Sequence, residues 1–218
     1  MTKLTDVSIS TLTTLEAADL IHTVDVSDTT SDPAGTSKKI TAENAKSYFN
    51  DYEILETAVL AGGETEQDFI LPSGYSSFRV IGTGIATTSG TTSLYFRTSS
   101  DGGSAFDSGS TDYLNGHFRW GGGTTTLYEA SASFLELTRS SLTTGNCGFI
   151  LEILANTDSS IFTELIYRST WITTGGASKQ SNVGSGHRAA NQADNAIRFY
   201  PSSSTFTAGS TFQLIGIK

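Results

Sequence analysis

From about residue 53 onward, apolar side chains fall at alternate positions in short runs, and the runs stop at clusters of Gly, Ser and Thr. Phe78/Val80, Leu94/Phe96, Ile161/Thr163/Leu165/Tyr167 and Phe212/Leu214 all keep a period of two. Residues two apart share one face of a strand, so this pattern buries one face of a sheet and leaves the other toward water. The stops are Thr87-Thr88-Ser89-Gly90, Gly121-Gly122-Gly123, Thr174-Gly175-Gly176 and Ser202-Ser203-Ser204. These residue types favour turns. The candidate strands are 54–60, 67–71, 76–85, 92–98, 113–120, 125–137, 147–155, 161–173, 180–189, 195–200 and 211–217. Short strands at this spacing, with no long helix between them, argue for a sandwich or jelly roll rather than βαβ units. No repeat of 20–50 residues is visible, which disfavours a propeller or solenoid. The expected fold is mainly β: an antiparallel β-sandwich, jelly-roll-like, over residues 53–218, preceded by a small α+β arm over residues 1–52.

Composition agrees with many strands and turns. Thr and Ser together number 63 and Gly 22, against 3 Pro and 1 Met in 218 residues. The β region alone is long enough to bury a core without disulfides or metals. The arm is different. Thr13-Thr14-Leu15-Glu16 has capping-box spacing before a short helix at 14–19. Leu20-Ile21-His22-Thr23-Val24-Asp25-Val26 reads as a strand, Ser31-Asp32-Pro33-Ala34-Gly35 as a turn, and Lys38-Lys39-Ile40 as extended. Thr41 caps a second helix at 42–50. Large apolar side chains are too few here for independent stability, so the arm is expected to lie against a neighbour.

Charge narrows the partners. Residues 1–56 hold four Lys and ten Asp/Glu, a net of −6, and the rest of the chain adds −3 to reach −9. Basic residues cluster nowhere beyond Lys38-Lys39, so no nucleic-acid partner is expected. The start Met1-Thr2-Lys3-Leu4 has no apolar signal-peptide core, and no stretch nears the roughly 20 apolar residues of a membrane helix. The expectation is a protein with no membrane insertion. The single cysteine, Cys147, lies in the run Cys147-Gly148-Phe149-Ile150-Leu151 and reads as a buried, inert thiol.

Two parts of the chain resemble proteins of tailed bacteriophages. The first is Thr11-Leu12-Thr13-Thr14-Leu15 through Asp19-Leu20-Ile21, Val24-Asp25-Val26-Ser27-Asp28-Thr29-Thr30 and Gly35-Thr36-Ser37-Lys38-Lys39-Ile40-Thr41. It is similar to an N-terminal module that precedes variable C-terminal domains in phage structural proteins. The resemblance implies a virion-docking arm, with Leu15, Leu20, Ile21, Val24, Val26, Lys38, Lys39 and Ile40 as its contact residues. The second is Tyr75 to Gly82, Phe96-Arg97-Thr98-Ser99-Ser100-Asp101-Gly102-Gly103 and Gly209 to Lys218, which resembles the β-rich heads that follow such modules. The resemblance also implies a homotrimer.

Several residues could carry chemistry or recognition. Ser99-x-Asp101-x-Gly103-x-x-Phe106 resembles an Asp-box, a turn that shapes a hairpin over an aromatic ring and is structural where it occurs. Asp101, Asp107 and Asp112 share one glycine-rich loop that could hold calcium, although the spacing is not that of an EF-hand. His22, His117 and His187 lack metal-ligand spacing. No GxSxG, P-loop or Rossmann glycine pattern is present, and paired carboxylates for glycoside cleavage would have to be found in space. No cofactor or metal is expected. Among the aromatics Tyr113, Phe118, Trp120, Tyr128, Trp171 and Tyr200, core packing accounts for most. Trp120, Tyr128 and Trp171 are the candidates for a sugar-stacking platform or subunit interface.

The expected function is that of a non-enzymatic virion protein, assembled in the host cytoplasm. The first reading is a trimeric capsid decoration, cement or short head-fibre protein, bound by its arm to the major capsid protein. No heptads, collagen-like triplets or β-helix repeats supply a long shaft. The second is a receptor-binding short tail fibre or tip, attached to a tail or connector protein and recognising a host surface glycan. The third is a tail-associated polysaccharide depolymerase, for which no motif speaks.

Overall fold

The computed structural model describes residues 20–25, 36–41, 51–89, 92–121, 124–138, 142, 147–154, 160, 162–172 and 179–218, without side chains at 20–25, 36–41 and 124–130. Two compact units divide the chain, Met1–Asp51 and Tyr52–Lys218.

In the first unit, β1 (Leu20–Asp25) pairs antiparallel with β2 (Thr36–Thr41), Leu20 opposite Thr41 and Val24 opposite Ser37. Both segments were expected to be extended. The expected helices at 14–19 and 42–50, the turn at 31–35, and the contact residues Leu15 and Val26 lie outside the described residues.

The second unit is mainly β. Its strands are β3 (Tyr52–Val59), β4 (Gln67–Ile70), β5 (Ser77–Ile85), β6 (Leu94–Ser99), β7 (Tyr113–Gly121), β8 (Thr124–Ala132), β9 (Leu135–Thr138), β10 (Cys147–Leu154), β11 (Glu164–Ile172), β12 (Lys179–Arg188), β13 (Ala196–Pro201) and β14 (Thr211–Ile217). They form two antiparallel sheets. The larger has eight strands in the order β3-β14-β5-β10-β11-β12-β7-β8, and the smaller has four in the order β4-β13-β6-β9.

The alternation seen in the sequence explains how the sheets meet. Phe78 and Val80 of β5, Leu151 and Ile153 of β10, and Phe212 and Leu214 of β14 face inward from the larger sheet. Phe69, Leu94, Phe96 and Phe199 face them from the smaller one. The ring of Phe199 lies 5.3 Å from Phe149 and 5.4 Å from Phe212, so one aromatic cluster joins the two sheets. Truncating one such ring removes roughly 3–5 kcal/mol of stability.

One expectation is corrected. The run 125–137 is not a single strand. It breaks at Ser133-Phe134, so that β8 edges the larger sheet and β9 joins the smaller one. Phe134 stacks on Tyr95 at 3.8 Å, and the Ser133 carbonyl accepts a 2.9 Å hydrogen bond from Arg97 Nε. These contacts hold the chain as it crosses between sheets. β9 then packs across β11, β12 and β7, and Gly186 admits it: a Cβ there would sit 2.3 Å from Leu135 Cδ1.

Candidate functional site

The outer face of the larger sheet carries the most unusual surface among the described residues. Along β11, Leu165, Tyr167, Ser169 and Trp171 point into the core, which turns Glu164, Ile166, Arg168 and Thr170 outward. Antiparallel sheets with one wet face normally keep that face polar. Here Leu114, Phe118 and Trp120 of β7, Ile150 of β10, Ile166 of β11 and Val183 of β12 all stand exposed on it. Strand pairing sets them in rows. Ile150, Arg168, Val183 and Phe118 are successive register partners, and so are Leu154, Glu164, His187 and Leu114 four residues away along each strand. Phe118 and Trp120 are neighbours with ring centroids 6.0 Å apart.

Two shallow hollows flank Ile166. One, of about 410 Å³, is lined by Leu114, Glu164, Ile166, Ser185, Gly186 and His187. The other, of about 240 Å³, is lined by Ile150, Glu152, Ile166, Arg168 and Val183. On the same face Arg79 donates to Glu152 Oε1 at 2.6 Å and lies over the ring of Tyr52. Phe162 packs on His187 at 5.2 Å. This arrangement offers apolar contact area with fixed charges inside it, which suits recognition.

The Asp-box-like residues come together as a turn. The Ser99 hydroxyl donates to Asp101 Oδ1 at 2.6 Å, and Ser99 Oγ accepts from the Gly103 N–H at 3.1 Å. Asp101 Oδ1 also accepts from the Ala105 N–H at 3.0 Å. Gly103 has φ +83°, a conformation in which a side chain is strained. Phe106 lies beneath the Arg198 guanidinium at 4.2 Å. The Ser99 hydrogen bond, followed by that from Ala105, holds the Asp101 carboxyl below its ordinary range.

The three aspartates weighed for calcium have other duties. Asp101 closes its own turn. Asp112 Oδ2 accepts from the Gly109 N–H at 2.5 Å. Asp107 pairs with the buried Arg188, whose guanidinium also lies 3.6 Å from buried Asp194, and Gln192 Nε2 donates to both aspartates. Burial raises the Asp107 carboxyl above its usual value, against the pull of Arg188. No cluster of three or more metal-ligating side chains occurs among the described residues.

Of the three aromatic candidates, Trp120 is 43 % exposed on the outer face. Trp171 is 1 % exposed, which corrects its candidacy: it shares the inward parity of Leu165 and Tyr167 and fills the core. The side chains of Tyr128, His22 and the described arm residues Leu20, Ile21, Val24, Lys38, Lys39 and Ile40 lie outside the described residues. His117 is buried on β7. Cys147 is buried, and desolvation pushes its thiol up to about 12.

Sequence reasoning missed Glu164, Ile166, Arg168, Ile150 and Val183. The available signal was consecutive apolar residues inside strands, Leu165-Ile166-Tyr167 and Phe149-Ile150-Leu151, which load both faces of a sheet. Comparisons with protein-family models, with curated proteins and with solved structures find no match.

Proposed function

We propose that the chain is a bacteriophage virion structural protein, docked by its N-terminal unit and presenting its β unit outward as a trimeric capsid decoration, cement or short head-fibre protein. The finer fold reading belongs with it: the two sheets form a jelly-roll-like sandwich, a reading supported by the repeated passage of the chain between them. The observation that carries the proposal is the division of the chain at residue 51. On one side lies an acidic segment whose described part is a two-stranded ribbon, and such a ribbon alone is marginal in water. On the other lies a unit with a complete aromatic core. A segment that gains its stability from a larger surface, joined to a self-sufficient head, suits a subunit that staples onto a shell and stabilises it by mass action. The resemblance in residues 11–41 implies a virion-attachment arm and so supports the same assignment, with the major capsid protein as the partner in this first reading.

A second reading is a receptor-binding tail tip. The exposed Phe118–Trp120 pair favours it, since rings of this kind stack on sugars.

Gold-labelled antibody against the β unit tests both. Dense decoration of the capsid supports the first reading. Label confined to the tail, with binding of the β unit to host glycan, replaces it with the second. Absence of label from purified particles removes the virion assignment.

A further inference from the structure

We propose that copies of this chain pack on one another through the outer face of the eight-stranded sheet, with Arg168 of one copy against Glu164 of the next. The proposal rests on the self-associating reading above and adds the surface and its orientation.

The face offers apolar area that water would otherwise cover. Ile150, Ile166, Val183, Phe118, Trp120 and Leu114 are all exposed there, and contiguous apolar surface on a folded unit marks an interaction site. The charges decide the occupant. Glu164 and Arg168 flank Ile166 on the same strand face, each roughly 7 Å from it along the strand. Neither forms an ion pair with another described residue. A face with a cation on one side of its centre and an anion on the other is complementary to itself.

Symmetry then fixes the orientation. An axis parallel to the sheet, crossing the strands at Ile166, brings the Arg168 side of one face to the Glu164 side of its neighbour. The row Ile150–Arg168–Val183–Phe118 then approaches Leu154–Glu164–His187–Leu114 of the next copy. Apolar ends meet apolar ends, and the cation enters the hollow beside Glu164. An axis parallel to the strands would instead set Arg168 against Arg168, and juxtaposed like charges disfavour a contact. A two-fold axis lays the two faces flat on each other, and a three-fold axis in the same direction inclines them with the Arg168 side of each against the Glu164 side of the next.

Sedimentation equilibrium of the full-length chain at micromolar concentration tests this. Wild type is expected to associate. Glu164→Arg and Arg168→Glu are each expected to lower the association constant by at least about tenfold. The double variant is expected to regain most of it, with circular dichroism unchanged because both side chains point outward. As a check independent of charge, Ile166→Cys is expected to give copy-to-copy disulfides on mild oxidation. If wild type associates and every variant matches it, with no crosslink, the self-association reading stands and this face is not its seam. If the single variants dissociate and the double variant does not recover, the orientation is wrong. A monomeric wild type removes both the oligomer and the interface. A wild-type dimer whose variants dissociate keeps the interface and removes the three-fold reading.

Discussion

The space between the two sheets has two unlike halves. Beneath β13 and β14 it is filled with aromatic rings: Phe149, Phe199, Phe206 and Phe212 lie within 5.3–6.0 Å of one another in successive contacts. Beneath β9 it is threaded with polar groups. The Leu137 carbonyl accepts from Ser169 Oγ at 2.5 Å and from Asn182 Nδ2 at 3.2 Å, and the Tyr167 hydroxyl donates to Asn115 Oδ1 at 3.2 Å. Burial of rings is strong but non-directional. Buried hydrogen bonds add modestly to stability but are costly to leave unmade. The aromatic half therefore supplies most of the free energy, and the polar half fixes where the short strand β9 lies across its neighbours.

The largest expected effect tests the first half of that contrast. Phe199→Ala should cost about 3–5 kcal/mol, read from urea unfolding midpoints. The contrast breaks if this change is milder than any polar substitution below. Arg188→Met should follow, at roughly 3 kcal/mol, because it leaves buried Asp194 and part-buried Asp107 without their cation. Asn182→Ala should cost about 1–3 kcal/mol. Its sharper readout is faster amide exchange confined to β9, with the aromatic half still protected. Uniform exchange across both halves would show that they are one cooperative unit.

The smallest effect concerns Asp101 and is one of pH. Its carboxyl is lowered by the Ser99 hydroxyl and the Ala105 N–H. A depressed acid adds stability that is complete above the ordinary aspartate range and fades as pH falls through its folded value. The Ala105 amide resonance should follow that transition in an acid titration, and Asp101→Asn should abolish it.

The strands were largely legible in the sequence. The expected runs 113–120 and 211–217 stand against Tyr113–Gly121 and Thr211–Ile217, because alternation and turn residues are local signals. Sheet membership was not legible. β14 pairs with β3 and β5, strands more than a hundred residues away, and no local pattern encodes that choice. The break at Ser133-Phe134 was hidden for the same reason: both halves of the run are good strand sequence, and only their distant partners separate them. The parity shared by Trp171, Tyr167 and Leu165 could have placed that ring inside. The Ser99–Phe106 turn was readable because its spacing is its geometry. The outer face was not legible from aromatic rings alone, because four of its six exposed apolar side chains, Leu114, Ile150, Ile166 and Val183, are aliphatic.

The position of β14 has a consequence for synthesis. This strand sits between β3 and β5, yet it is made after every other strand of its sheet. A growing chain therefore exposes the backbone edge of β5 until residue 217 has left the ribosome. Pairing across such sequence separations is slow, and an open edge in the meantime can pair with another nascent chain. Translation from closely spaced ribosomes should favour misassembly of this unit, and a chaperone that shields strand edges should relieve it.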